Sequence, residues 1–319
     1  MQSHQLCDEP HDSQSLTIGP QDVSRSIFKK IKYRVYPLKR LGFFSQRLLT
    51  NPLHREFFSN LACKRLPRSE LSVGASVHEV KSLQDNGYVM LENLVPSHEL
   101  EQMVDWFSTK LTIDRYNEGA GHFDPLEPPE SCHTASFSAE DILRSPHAIK
   151  WVNNENVLRI VEATLGAKAT LSNISVWWSL PGHDTPQAAE SFHRDVDDLR
   201  FIKLFIYLTD VDGESGPHAF VPKSHKHMGY RTIRRYSDEE IKSEFGENGI
   251  KYFTESKGSA FLENTFGLHK GQLPKKKRRL LFQAQYSLHP IGLSEYSPLK
   301  LSNETNEKFD PYTNRLYIE

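Results

Sequence analysis

The residues of this 319-residue chain best suited to chemistry are histidines spaced two positions from a carboxylate. On a strand, a His-x-acid pair puts both side chains on one face, because strand side chains alternate. A distant His then completes a facial set of two His and one carboxylate, which leaves adjacent positions open on an ion such as Fe(II). The pair alone selects nothing: with 15 His and 41 Asp plus Glu in the chain, roughly two such pairs arise by chance. Three occur, His54/Glu56, His122/Asp124 and His193/Asp195. His54/Glu56 lies in NPLHREFFSNL, a helical pattern in which positions i and i+2 diverge. His122/Asp124 lies in a Gly- and Pro-rich stretch. Only His193/Asp195 stands at the entrance of a strand-rich half, ahead of FIKLFIYLTDV. The third ligand stays open among His218, His225, His227, His269 and His289. Spacing favours His269, which follows the strand-like KGSAFLENTFGL and precedes another strand.

These side chains need a scaffold, and the hydrophobic pattern supplies one. VHEVKSLQDNGYVMLENLV reads as a helix, an Asn-Gly turn and a strand, opening a domain near residue 76. Ser97 reads as the N-cap of a helix whose Leu100, Met103, Val104, Phe107 and Leu111 share a face. Residues 113–136 read as a long loop, and Ser138 starts a short helix. Residues 154–165 form another helix, stopped by Gly166. Beyond Gly166 the period shortens: ATLSNISVWWSL, FIKLFIYLTDV, HAFVP, KGSAFLEN and RRLLFQAQYSL are rich in β-branched and aromatic residues. One helix interrupts them, where Ser237 and Glu240 form a capping box. Helices first and strands later predict an α+β chain, mainly β in its catalytic part, with the strands forming a sandwich flanked by helices. Residues 1–75 are expected to be a polar and basic extension, 76–300 the catalytic domain and 301–319 a tail.

Composition sets the remaining bounds. A net charge of −2, 37% hydrophobic and 25% charged residues describe an ordinary globular chain and argue against nucleic acid as a partner. Cys7, Cys63 and Cys132 form no CxxC pair, which speaks against a disulfide framework or a cysteine-rich zinc site. No apolar run is long enough to span a bilayer, and the first residues lack the apolar core of a secretory signal, so the expected location is the cytoplasm. Residues 27–50, IFKKIKYRVYPLKRLGFFSQRLLT, are basic and aromatic. Pro37 interrupts any long amphipathic helix there. The expectation is a solvated arm packed on the core through its aromatics; the alternative is a segment that binds a surface or an anionic partner.

Ordered segments over about residues 80–288 resemble the phytanoyl-CoA dioxygenase family of Fe(II)/2-oxoglutarate oxygenases. GYVMLENLVPSHEL is similar to the family's opening strand and helix. VLRIVEATLGAKATLSNISVWWSLPG is similar to the helix and strand before the metal loop, and FHRD to its HxD motif. LFIYLTDVDGESGPHAFVPKSHK resembles a hairpin that usually ends Pro-Gly-Ser-His, with Lys223 here in place of the Gly. LHKGQLPKKKRRLLFQAQY resembles the distal His followed by an Arg that binds the co-substrate. The resemblance implies a double-stranded β-helix, the cupin-like jelly roll. It implies Fe(II) on His193, Asp195 and His269, with O2 and 2-oxoglutarate as co-substrates and succinate and CO2 as products. It also implies an Arg that pairs with the far carboxylate of 2-oxoglutarate; strand spacing favours Arg279 over Arg278. Relatives that halogenate lack the carboxylate ligand, so Asp195 points to hydroxylation of a small molecule. The walls of its pocket are expected from residues 113–136, 182–191 and 226–256, with Asn173, Ser175 and Trp177 on one strand face. The alternative is a jelly-roll metal-binding protein with another role, a sensor or a zinc-type hydrolase or isomerase, which would not need a carboxylate clamp. No oligomeric state is legible.

Overall fold

The computed structural model describes residues 41–300 and 309–319, so residues 27–40 of the basic segment lie outside the described residues. In chain order the first elements are α1 (Pro52–Cys63), α2 (Val77–Asn86), β1 (Tyr88–Leu91), α3 (Ser97–Ser108), β2 (Thr112–Asp114), β3 (His122–Phe123) and β4 (Thr134–Ser136). Then follow α4 (Ala139–Leu143), α5 (Ala148–Val152), α6 (Glu155–Leu165), β5 (Thr170–Ser179), β6 (Phe201–Tyr207) and β7 (His218–Phe220). The last are α7 (Asp238–Phe245), β8 (Lys251–Phe253), β9 (Ala260–Glu263), β10 (His269–Gly271), β11 (Arg279–Ser287) and α8 (Pro311–Asn314).

Local chemistry sets the helix ends. Ser76 accepts from the Glu79 amide at the start of α2, and Gly87 ends it at φ 88°, a left-handed conformation that glycine adopts without penalty. Asn154 caps α6 and Gly166 stops it at φ 78°. The Ser237/Glu240 capping box at α7 is present in both directions. Ser97, expected as an N-cap, is instead the first helical residue, with Pro96 in the cap position. The stretch expected as a loop over 113–136 carries three short strands at one edge of a sheet. α5, β8 and β10 were not legible, because three to five residues are too few to show a period.

The strands form two sheets, one of eight in the order β1-β9-β6-β11-β5-β4-β2-β3 and one of three in the order β10-β7-β8. This is the jelly roll, flanked by helices. Period-two alternation gives the large sheet two different faces. One face of β11 carries Leu280, Phe282, Ala284 and Tyr286, which are buried with Val176, Leu204 and the inward side chains of α2, α3 and α6 in the main core. On the opposite face Arg279, Leu281, Gln283 and Gln285 pair in register with Ser179, Trp177, Ser175 and Asn173 of β5. Tyr207, Phe205 and Lys203 of β6 continue that inner face. Asn173, Ser175 and Trp177 therefore share one face, as their spacing predicts.

Segments on both sides of the strand region pack against it. Arg55 of α1 is buried and donates to the carbonyls of Leu49 (3.1 Å) and Asp198. Asn314 of α8 donates to Asn153 at 2.7 Å. Gly216, at the turn into β7, has φ +67°, and a Cβ there would meet the Gln272 carbonyl and the backbone of Pro274. Gly216→Ala is therefore expected to destabilise the fold by at least about 2 kcal/mol, read as a lowered urea midpoint. An unchanged midpoint would show that this turn does not need glycine.

Candidate metal centre

The three-stranded sheet meets the loop before β6 at one isolated antiparallel bridge, His193 with His269. The His193 amide donates to the His269 carbonyl at 2.9 Å and the reverse bond is 3.0 Å. Two residues on, the Asp195 amide donates to the Thr265 carbonyl at 2.9 Å. This pairing brings together residues 76 positions apart in the chain and points three side chains inward.

His193 Nε2 lies 3.4 Å from Asp195 Oδ1, and His269 Nε2 lies 3.3 Å from Asp195 Oδ2. One ligand atom from each residue falls within 4.8 Å of the others, the one such group of three among the described residues. Each imidazole sets its Nδ1 against a backbone carbonyl, Ser191 at 2.9 Å for His193 and Gly267 at 3.0 Å for His269. A carbonyl only accepts, so Nδ1 carries a hydrogen and each ring turns its Nε2 toward the site. Burial, with the positive charge of His269, pushes the His193 pKa down to about 4. Burial also lowers His269, but the charge and hydrogen bond of Asp195 outweigh it and the net shift is upward. For Asp195, burial raises the pKa, and Lys203, His269 and His193 together hold it well below the usual carboxylate range.

The other histidines are engaged elsewhere. His225 pairs with the Gln84 carbonyl at 2.9 Å, His289 with Asp198 at 3.1 Å, and His227 lies 3.8 Å from Glu244. His54 sits exposed on α1 and His122 exposed on β3, away from the cluster. His218 is buried with its ring 5.7 Å from that of His269, and its Nε2 lies 3.0 and 3.1 Å from the two oxygens of the fully buried Glu263. Burial pushes Glu263 up to about 8 and pushes His218 well down.

Two further residues complete the inner face. Arg279 is buried, and its Nη2 donates to Ser179 at 3.1 Å, while Nε and Nη1 are buried with no partner. Its Nη2 would be 3.1 Å from a Cβ at Gly271, two residues past His269, so the missing side chain there gives the guanidinium room. Arg278 points the other way, donating to the Pro125 carbonyl at 2.7 Å and lying over the Trp178 ring at 5.5 Å. Lys203, which motif reasoning passed over, is buried with Nζ 2.6 Å from Asp195 and 3.7 Å from Asp197. Its signal was available: a lone charge inside the apolar run FIKLFIYL demands a buried counter-charge. Lys223, in place of the hairpin glycine, holds φ +66°, the left-handed conformation that glycine would adopt more easily.

The family model described as phytanoyl-CoA dioxygenase (PhyH) matches residues 83–272. The chain belongs to the phytanoyl-CoA dioxygenase family. Membership decides between the two readings of the jelly roll: the protein is an Fe(II)/2-oxoglutarate-dependent oxygenase, with O2 as its further co-substrate. Among solved structures, EctD from S. alaskensis with bound Fe is similar in fold, with 16% identity, a TM-score of 0.50, and 80% of this chain and 93% of that chain covered. EctD from the same source with 2-oxoglutarate and 5-hydroxyectoine gives 17% identity and a TM-score of 0.48 over 70% and 82% of the two chains. HygX from Streptomyces hygroscopicus, with nickel, 2-oxoglutarate and hygromycin B bound, gives 15% and 0.47 over 70% and 91%. At these identities the likeness is one of fold. No curated protein matches the sequence. No helix among the described residues of this family member is long and apolar enough to cross a membrane.

The buried charges of the phytanoyl-CoA dioxygenase fold yield a prediction here. Removing Lys203 leaves Asp195 without its nearest cation, so Lys203→Met should cost the metal-free protein about 3 kcal/mol at neutral pH. The folded-state pKa of Asp195 is depressed, so its stabilising share is complete above the unfolded value and is lost as pH falls through the folded one. The gap between wild type and variant should therefore narrow toward acid pH in urea melts with chelator present. Equal stability at neutral pH would contradict the pairing.

Proposed function

We propose that His193, Asp195 and His269 hold the Fe(II) ion, that Arg279 anchors 2-oxoglutarate, and that the enzyme hydroxylates a small organic substrate. The observation that carries this reading is the buried guanidinium of Arg279 with Nε and Nη1 unpartnered. An unpaired buried cation is costly, and a planar fork of donors matches a carboxylate in two-point geometry. The two Nε2 lone pairs and the Asp195 carboxylate fit a borderline divalent ion with positions to spare.

Bound there, Fe(II) supplies the oxidising chemistry that converts 2-oxoglutarate and O2 to succinate and CO2 while a substrate C–H becomes C–OH. The residues of this chain do the rest. The Ser191 and Gly267 carbonyls hold both imidazoles in the metal-binding tautomer. Lys203 fixes the orientation of Asp195 through Oδ2. Arg279, steadied by Ser179, would take the carboxylate of 2-oxoglutarate farthest from the metal. Phe205, Tyr207, Phe253, Phe261 and Leu281 pack together beside this face and keep water from it. Asn173, Ser175 and Gln283 are half-buried polar groups on the same face and suit a substrate with hydroxyl or amide groups.

The test is succinate formation from 2-oxoglutarate with Fe(II) and a metabolite extract. Wild type should turn over and Asp195→Ala should not. Arg279→Ala should raise the 2-oxoglutarate concentration for half-maximal rate by about thirtyfold or more, the scale of one charge-assisted pair, whereas Arg278→Ala should leave it nearly unchanged. Turnover by the Asp195 variant, or the reverse ranking of the arginines, would overturn the assignment.

A further inference from the structure

Helix α1 is inside out. Its buried positions are Arg55 and Ser59, both polar, which hydrogen-bond to backbone carbonyls of the loop before β6. Its outward stripe is Leu53, Phe57 and Leu61, at i, i+4 and i+8, with Phe58 beside them. Leu53 is 69% exposed and Phe57 64%. The helical residues 41–47 just before it repeat the pattern: Leu41, Phe44 and, past their end, Leu48 (82% exposed) fall at i, i+3 and i+7. Arg55 ties the two segments together through the Gln46 side chain and the Leu49 carbonyl. Leu48 also lines an open depression of about 620 Å³ with Met228 and Ile233, which are exposed as well. Seven of the 15 exposed large hydrophobics among the described residues therefore fall within residues 41–61, and Leu48 joins two more, Met228 and Ile233, at the depression. Scattered exposed apolar residues are ordinary, but a gathered patch of this kind marks a surface built to meet something other than water.

Charge narrows what that partner is. Residues 23–63 hold nine Lys and Arg against one acid, Glu56, in a chain whose net charge is −2. Arg47 and Arg231 line the same depression as Leu48, and Arg47, Ile233 and Arg235 line an adjoining cavity of about 320 Å³ that reaches His193 and Asp195. We propose that this face docks peripherally on an anionic lipid bilayer, with the outward stripes of residues 41–48 and α1 entering the headgroup boundary and the flanking guanidiniums meeting lipid phosphates. Apolar side chains mixed with Arg and Lys suit that interface, and Glu56 is the one acid on residues 41–63. A second copy of the chain fits poorly, because it would set one cationic face against another. Docking would turn the mouth beside His193 and Asp195 toward the lipid. The proposal stands apart from the metal assignment, since binding is read without turnover.

The experiment is co-sedimentation of the full chain with vesicles of equimolar phosphatidylcholine and phosphatidylglycerol, or of phosphatidylcholine alone. Wild type should pellet with the anionic vesicles, far less with the neutral ones, and less as salt rises. The triple variant Leu53→Ser, Phe57→Ser, Leu61→Ser alters exposed positions only, and an unchanged melting temperature would confirm its fold; its partition should fall by about a hundredfold. Leu48→Asp gives an independent second variant with the same expected direction. Failure of wild type to pellet with anionic vesicles, or equal pelleting of folded variants, would overturn the proposal. So would a wild-type dimer that the triple variant converts to monomer, which would make the patch a self-interface.

Discussion

Two reciprocal backbone hydrogen bonds, between His193 and His269, hold the candidate metal centre of this protein in place. They join the loop before β6 to β10 across the space between the two sheets. Because the bridge is antiparallel and closely paired, both imidazoles emerge on the same side and their rings stand 4.3 Å apart. Asp195 follows two residues later on the same side, tied by its own amide to Thr265. Everything else in the fold serves this junction. The large sheet supplies a rigid wall, the helices cover its outer face, and the small sheet carries His269 to the bridge.

Bringing these groups together creates an electrostatic problem that the inner face resolves. Asp195 sits close to Lys203, and Lys203 to Asp197, all of them taken largely out of water. Glu263, directly across from Lys203 in the β6–β9 register, differs from Asp195: burial pushes its carboxyl up to about 8. The result is a dry wall with one ammonium aimed at the Asp195 carboxylate, the proposed metal ligand. Arg279 is the exception, a buried guanidinium satisfied at Nη2 alone. A carboxylate-bearing co-substrate is the natural complement to that deficit.

Much of this was legible in the sequence, and the parts that were not share a cause. Gly87, Gly166 and the Ser237/Glu240 box announced helix ends because caps depend on a few neighbouring residues. The preference for Arg279 over Arg278 comes from its spacing to His269 and to Tyr286; the structure places Arg279 on the inner face and Arg278 against Pro125. His193 and Asp195 stood out by context, not by spacing. His269 was only favoured, because its meeting with His193 depends on a bridge between distant segments that no local pattern encodes. The same holds for the small strands over 112–136 and for β8 and β10. The inverted α1 was visible in principle: NPLHREFFSNL places Arg55 and Ser59 on one side and Leu53, Phe57 and Leu61 on another. Amphipathicity alone does not say which side faces the core, and the usual assumption is the wrong one here.

The central claim is that one ion binds where His193, Asp195 and His269 converge, with the co-substrate reaching Arg279. Anomalous diffraction at the iron edge, from crystals grown anaerobically with Fe(II) and 2-oxoglutarate, tests it most directly. A single strong peak should lie about 2.1 Å from His193 Nε2, His269 Nε2 and one Asp195 oxygen, with the far carboxylate of 2-oxoglutarate on the Arg279 guanidinium. A peak elsewhere, or a bound 2-oxoglutarate whose far carboxylate does not touch the Arg279 guanidinium, would contradict the account.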